Sequence, residues 1–285
     1  MDQIYLLIVG FLFVLAITDL IVGVGNDAVN FLNSAIGSKV ASFRIIMGVA
    51  FLGLLIGTLF SSGMMEIARS GIFNPGMFYF NQVMYIFLAV MITDVILLDA
   101  FNSLGLPTST TVSIIFELLG ASVSIATFKV LSETGEIGNI AAYINSAKVL
   151  AIISGILLSV VIAFTVGSIV QYFSRIIFTF NFKEKVKYLG GIWGGLSFTA
   201  IIYFLVLKGA KGTTFMSEEV IQYFETNSTL ILAVCFIGFS VLFQLLIWLF
   251  RTNVLRIVVL TGTFALAMAF AGNDLVNFIG APLAG

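Results

Sequence analysis

A seven-residue motif that is rich in oxygen-bearing side chains occurs twice in the chain, at residues 25–31 and 272–278, with six of seven positions identical. In each copy an aspartate is followed by an asparagine three residues later, a spacing that puts both side chains on one face of a helix. The glycine that begins each copy permits a break in the helix that frees backbone carbonyl groups. Carboxylate, amide and carbonyl oxygens are the ligands that a hard cation needs. The candidate cation ligands are therefore Asn26, Asp27, Asn30, Asn273, Asp274 and Asn277.

A second motif, Gly-Leu-Pro-Thr-Ser-Thr-Thr, occupies residues 105–111 between two apolar runs. Proline fits the first turn of a helix and a neighbouring Ser or Thr can cap it, so a helix is expected to begin here. Its unpaired N–H groups and the positive end of its dipole would join the hydroxyl groups of Ser109, Thr110 and Thr111 in a site suited to an oxyanion. The alternative is an ordinary capped helix, which the position between two apolar runs disfavours.

Four further acidic residues, Asp19, Asp94, Asp99 and Glu117, lie in apolar stretches. A carboxylate at the centre of a membrane-spanning helix costs at least roughly 2.5 kcal/mol, so such a residue faces a partner or a cavity. Glu117 lies seven residues after Thr110 and four residues after Ser113 on the same helical face, where it either binds a coupling cation or forms a hydrogen bond within the bundle. We include it among the candidate cation ligands, and for the other three we favour structural or peripheral roles.

The charges of the predicted site indicate that an anion and cations would bind together. The two motifs contain acids, amides and hydroxyls but no Lys or Arg, and the whole chain has no His. An anion beside unpaired carboxylates in a low dielectric would be repelled by several kcal/mol. Cations must therefore accompany it, which is symport. The membrane potential would then add about 2.3 kcal/mol per net positive charge per 100 mV.

The elements that must position these residues are apolar. Of 285 residues, 60% are hydrophobic and 9% are charged, whereas about 25% are charged in an ordinary soluble domain. About 20 apolar residues cross a bilayer as a helix, and we therefore predict an all-α polytopic membrane protein, not an enzyme. The dispersed basic residues and the net charge of −1 give no indication of nucleic-acid binding. The eight apolar segments are 3–24, 41–62, 81–101, 108–125, 146–170, 189–207, 228–250 and 254–271.

The distribution of charge predicts an orientation in the cell membrane with the N-terminus outside. If each segment crosses once, the inside connections then hold eight basic residues and one acid, as short cytoplasmic loops usually do. The two copies of the seven-residue motif fall on the first and eighth crossings and run in opposite directions. We predict an inverted-topology repeat, the layout in which secondary transporters place their sites between interrupted helices. Interhelical packing is the alternative role of a single copy.

The expected organisation has three parts. Residues 1–170 form a first membrane repeat with broken helices at 23–30 and 102–111, and residues 171–188 form a basic cytoplasmic loop. Residues 189–285 contain further membrane helices and the start of the inverted second repeat. No cofactor is expected besides a coupling ion.

At the two motifs the chain resembles the PiT-type inorganic phosphate transporter family, whose hallmarks are two inverted Gly-Ala-Asn-Asp-x-Ala-Asn signatures and Pro-x-Ser-Thr-Thr helix starts. The resemblance implies phosphate uptake coupled to sodium or protons, with phosphate at Ser109, Thr110 and Thr111. It also implies sodium sites at Asp27, Asn30, Asp274 and Asn277. Val112 stands at a usual His of the family, and the absence of His favours sodium.

The resemblance also predicts a feature beyond the printed sequence. Ser109 follows Asp27 by 82 residues, so a second Ser-Thr-Thr helix would lie past Gly285, and the chain is expected to be truncated within its second repeat. Two other interpretations remain: a carrier of another tetrahedral anion such as sulfate, and a non-transporting fragment, scaffold or channel. A close-contacting homodimer is common for such folds, so a second copy of the chain is a candidate partner.

Overall fold

The computed structural model describes residues 3–59, 72–134, 138, 140–208, 218–275 and 278. This part of the chain is helical, with one isolated bridge between Phe73 and Ile144 and short 3-10 turns at Pro75–Met77 and Ile140–Tyr143. The helices are α1 Gln3–Gly37, α2 Phe43–Leu59, α3 Phe80–Leu104, α4 Thr110–Thr134, α5 Ser146–Phe178, α6 Phe182–Ile202, α7 Glu218–Thr226, α8 Ser228–Phe250 and α9 Val254–Asn273.

The lengths and compositions of these helices confirm the all-α polytopic membrane fold. Within the described residues, seven helices are long and apolar enough to cross a bilayer, and α2 is a shorter apolar helix of 17 residues. The remaining helix, α7, has nine residues and is amphipathic. Each of the eight apolar segments seen in the sequence contributes one apolar helix.

The structure differs from the sequence predictions at 23–30 and at 171–188. Helix α1 is continuous over 35 residues, so no break occurs at 23–30. An isolated glycine in a helix costs only about 1 kcal/mol relative to alanine, and α1 contains no proline to remove a backbone hydrogen bond. The basic segment 171–188 is almost entirely helical, because α5 continues to Phe178 and α6 begins at Phe182. The interruption expected at 102–111 coincides with the junction between α3 and α4.

The helices divide into two compact units. The first comprises Met1–Asn30, Ser61–Leu158 and Gly272–Gly285. Its apolar core joins α1, α3 and α4 to the residues around the isolated bridge, with Phe73 and Phe87 almost completely buried. The ring of Phe73 contacts that of Phe78 edge to face at 5.6 Å between centroids. Both chemical motifs of the sequence have residues in this unit.

The second unit comprises Phe31–Phe60 and Ser159–Ala271, and its tightest contact is between α6 and α8. Glycines at 190, 191, 194 and 195 form the buried face of α6. A β-carbon built at Gly195 would lie 2.1 Å from the Ser240 hydroxyl and 2.7 Å from its backbone nitrogen. Small residues of this kind let membrane helices approach closely, and here they bring the α6 backbone against α8.

Candidate functional site

The Ser-Thr-Thr element stands at the start of α4, directly after a sharp turn. Helix α3 ends at Leu104, and Gly105 takes the left-handed conformation with φ of 68°, which an L side chain rarely adopts. The Gly105 N–H donates to the carbonyl of Asn102, and the Leu106 N–H donates to that of Phe101. This glycine cap ends α3, and residues 106–109 lead directly into α4.

Asn26, from the first copy of the seven-residue motif, fixes this turn. Its amide nitrogen donates to the side-chain oxygen of Asn102 at 2.8 Å and to the carbonyl of Leu106 at 3.2 Å. Its amide oxygen accepts the Thr108 N–H at 2.8 Å, and Asn102 in turn donates to the carbonyl of Val22. The two asparagines therefore connect α1 to the backbone between α3 and α4. Asn26 is buried, and its direct role is to position the start of α4.

Asp27 contacts the first turn of α4. One of its carboxylate oxygens accepts a hydrogen bond from the Asn30 amide at 3.1 Å, as the three-residue spacing predicts for a helix. The other accepts from the Thr110 hydroxyl at 3.0 Å. Asp27 is 3% exposed and Thr110 is 2% exposed. A buried carboxylate is thus held by neutral donors, an arrangement that leaves its charge for a cation to balance.

Asp274, from the second copy, reaches the adjacent hydroxyl group. The Thr111 hydroxyl donates to an Asp274 carboxylate oxygen at 2.5 Å. Consecutive residues of a helix point about 100° apart, so the two aspartates approach the first turn of α4 from different sides. Asn277 lies outside the described residues, and the structure describes no side-chain position for Asn273. The two copies of the motif, far apart in sequence, thus converge on Thr110 and Thr111.

Ser109 differs from the two threonines because it faces open space. Its hydroxyl accepts a weak hydrogen bond from the Val112 N–H at 3.4 Å, which is the contact of a helix cap. Ser109 is exposed and lines a cavity of about 690 Å³, together with Thr108, Ser113 and Glu117. The first N–H groups of a helix lack partners within the helix. At the start of α4 these groups are near the hydroxyl groups of Thr108, Ser109 and Ser113, which line the cavity. An oxyanion that entered the cavity would meet donors and no basic side chain among the cavity's described lining.

Glu117 belongs to a cluster of acidic side chains around Ser113, which lies four residues earlier on α4. Ser113 places its hydroxyl 2.8 Å from Glu117 and 2.9 Å from Asp94. The carboxyl group of Asp94 is also close enough to that of Asp19 for the two to interact electrostatically. Asp19 and Asp94 are completely buried. Both oxygens of Asp19 and one oxygen each of Asp94 and Glu117 have no hydrogen-bond partner among the described residues. The sequence favoured structural or peripheral roles for Asp19 and Asp94, and the four-residue spacing of Ser113 and Glu117 was the one local signal of this cluster.

Comparison with known proteins matches the chain to a family and to a fold. The phosphate transporter family matches residues 23–284, a range that includes both copies of the motif and the Ser-Thr-Thr element. A solved structure described as the sodium-dependent phosphate transporter aligns with a TM-score of 0.70 and 18% sequence identity. The alignment covers 96% of this chain and 66% of that one, so the chain spans less than two thirds of the neighbour's length. No curated protein matched the chain. From the family match over most of its length, the chain belongs to the phosphate transporter family.

Proposed function

We propose that the protein imports inorganic phosphate across the cell membrane by symport with sodium. The proposal rests on one observation. Asp27 and Asp274 accept hydrogen bonds from the neighbouring hydroxyl groups of Thr110 and Thr111 at the start of α4. A carboxylate next to each hydroxyl group gives a cation site in contact with an anion site. Membership of the phosphate transporter family supports phosphate as the anion.

The hydrogen bonds of the two threonines supply a physical route for coupling. A hydroxyl group has one proton to donate, and Thr110 donates its proton to Asp27. A cation bound at Asp27 would compete for the carboxylate oxygen and release that proton to point at phosphate. A hydrogen bond to a charged group contributes roughly 1.5–3 kcal/mol, which is within the usual range for coupling between two sites.

Sodium is the coupling ion that the side chains favour. Carboxylate and amide oxygens of Asp27 and Asn30 are suitable ligands for a hard cation, and the chain has no histidine to relay protons near neutral pH. The equivalent ligands at the second site are Asp274 and, by the repeat of the motif, Asn277. Phosphate would be bound by Ser109, Thr110 and Thr111 and by the first N–H groups of α4.

The test is uptake of labelled phosphate by proteoliposomes that contain the full-length protein. An inward sodium gradient should drive accumulation, whereas choline with an imposed pH gradient should not. Excess sulfate should leave phosphate uptake unchanged if the anion site selects phosphate. Accumulation driven by the pH gradient alone would instead identify protons as the coupling ion, and inhibition by sulfate would identify a broader anion carrier.

A further inference from the structure

A second cavity, in the other compact unit, has the chemistry of an anion site. It has a volume of about 920 Å³ and is formed by the beginning of α6, the end of α8 and the connection from α8 to α9. Three cationic side chains line it, those of Lys183, Lys187 and Arg251, and no carboxylate is among its described lining residues. All three cationic residues are exposed. The cavity therefore presents concentrated positive charge without an acidic side chain in its own wall.

The backbone around this cavity also favours negative charge. The N–H of Lys185 donates to the carbonyl of Asn181, which is the first helical hydrogen bond of α6. The N–H groups of residues 182–184 therefore point out of the beginning of the helix. The positive end of the helix dipole adds to the charge of the lysines. A hydrogen bond of 2.8 Å from the Gln244 amide to the Lys187 carbonyl holds this end of α6 against α8.

Arg251 is held in a backbone conformation that glycine usually occupies. Its φ of 52° and ψ of 34° are left-handed, and its N–H donates to the carbonyls of Ile247 and Leu246 at the end of α8. At the comparable end of α3 the chain has Gly105. This conformation is uncommon for a residue with a β-carbon, and within the described residues Lys39 and Asn181 adopt it as well.

The cavity lies at a level of the helices where a lipid headgroup would be within reach. Helices α6, α8 and α9 are all candidate membrane spans, and the cavity lies where α6 and α9 begin and α8 ends. It is therefore at the boundary between bilayer and water. Trp248 and Tyr188 line it and are 59% and 63% exposed, as expected of aromatic residues at the level of lipid headgroups. The lining combines apolar side chains with cations, as the acyl chain and the phosphate group of a phospholipid require.

We propose that this cavity binds the phosphate headgroup of an anionic phospholipid. Basic pockets between membrane helices bind such headgroups, and each nearby Lys or Arg contributes about five-fold in affinity. Lys183, Lys187 and Arg251 contact the phosphate group, while Trp248 contacts the adjoining part of the acyl chain. The site is separate from the residues that we assign to phosphate transport.

The two tryptophans of the chain allow a direct test. In a full-length variant in which Trp193 and any tryptophan outside the printed sequence are changed to Phe, Trp248 reports on the cavity. The protein is reconstituted in phosphatidylcholine vesicles that contain equal small fractions of either brominated phosphatidylglycerol or brominated phosphatidylcholine. The brominated anionic lipid should quench Trp248 more strongly. Changing Lys183, Lys187 and Arg251 together to Gln should abolish this difference, and each single change should weaken the preference about five-fold.

Matched controls separate a site from general surface charge. Lys185→Gln removes the same charge from the same turn of α6 outside the cavity lining, and it should leave the preference intact. In the reciprocal Trp248→Phe variant, Trp193 should be quenched equally by both lipids. Equal quenching of Trp248 by the two lipids, or an equal loss in Lys185→Gln and Lys183→Gln, would overturn the proposal. Displacement of the brominated phosphatidylglycerol by millimolar inorganic phosphate would overturn it as well, because the ligand would then be a free anion.

Discussion

At the residue scale, the side chains at the start of α4 have two proposed roles: charged ones bind the cation and neutral donors bind the anion. Asp27 and Asp274 bring negative charge to the first turn of α4, whereas Ser109, Thr110 and Thr111 bring neutral donors. Changes at the aspartates should therefore affect the response to the cation. Changes at the hydroxyl groups should affect the affinity for the anion. Substitutions that preserve shape can test the two roles independently.

Asp27→Asn should abolish the dependence of phosphate affinity on sodium. Asparagine keeps the size of the side chain and an oxygen that can accept from Thr110, but it removes the charge that balances a cation. Phosphate titrations of the full-length protein at several sodium concentrations would measure the effect, and Asp274→Asn should behave in the same way. Asp99→Asn is the matched control, because Asp99 is an exposed carboxylate on α3 outside the site. A normal sodium response in Asp27→Asn would make this aspartate a packing residue.

Ser109→Ala and Thr110→Ala should both weaken phosphate binding, but with different sodium responses. Each removes one donor to a charged ligand, worth roughly ten- to a hundred-fold in affinity. Among the hydrogen bonds of the described residues, those to the two aspartates come from Thr110, Thr111 and Asn30 and not from Ser109, so the Ser109 variant should keep the full response to sodium. Thr110→Ala also removes the contact with Asp27 and should lose part of that response, and Thr110→Ser should restore it. Normal phosphate affinity in both alanine variants would restrict these hydroxyl groups to capping α4.

Local spacing predicted some contacts of the site and missed those that depend on distant residues. The contact between Asp27 and Asn30 follows from helical periodicity, and it is observed at 3.1 Å. The partners of Asn26 are 76 to 82 positions away, so no local pattern contains them. Glu117 shares a helical face with Thr110 and Ser113, and it contacts Ser113, the nearer of the two, at 2.8 Å. Which member of a helical face a side chain contacts depends on neighbouring helices.

At the element scale, the continuity of α1 shows what a glycine does in a membrane helix. The sequence predicted a break at 23–30, but the hydrogen bonds of a helix are hard to replace in a bilayer. Gly23 instead makes room for a side chain, because a β-carbon there would lie 2.2 Å from the ring of Phe278. The interruption of the chain occurs at Gly105 and Pro107, where a left-handed turn and a missing N–H end one helix. In this chain Gly105 and Pro107 marked the end of a helix, whereas the glycines within α1 did not.

Gly195→Ala should destabilise the packing of α6 on α8. The added methyl group would meet the hydroxyl and the backbone of Ser240, and the backbone cannot move without separating the helices. Overpacking of this kind costs typically 1–3 kcal/mol. Gly238→Ala, on α8 with nothing within 4 Å of the added carbon, is the control and should be neutral or slightly stabilising. Thermal unfolding of the two purified variants would measure the difference, and equal midpoints would mean that the two helices separate at no cost.

At the scale of the whole molecule, composition was sufficient for the fold class but not for the grouping of its helices. Eight apolar segments predicted the eight apolar helices, and the paired motifs predicted the family. The expected divisions at 170 and 188 do not coincide with the boundaries of the two compact units, which assign 159–271 to one unit. Hydropathy specifies which residues enter the bilayer. Which helices then pack together depends on close contacts such as the glycine face of α6, whose partner no hydropathy pattern identifies.

Orientation in the membrane is the property of the whole molecule that charge predicts and that labelling can test. With the N-terminus outside, Lys185 at the start of α6 is cytoplasmic, and Glu219 on α7 is extracellular. Both are exposed. In a variant with the native Cys235 changed to Ala, cysteines introduced at these positions should react differently with a membrane-impermeant maleimide. Glu219→Cys should react on intact cells, whereas Lys185→Cys should react only after permeabilisation. The opposite pattern would reverse the orientation and place the basic cavity of α6 and α8 on the outer face of the membrane.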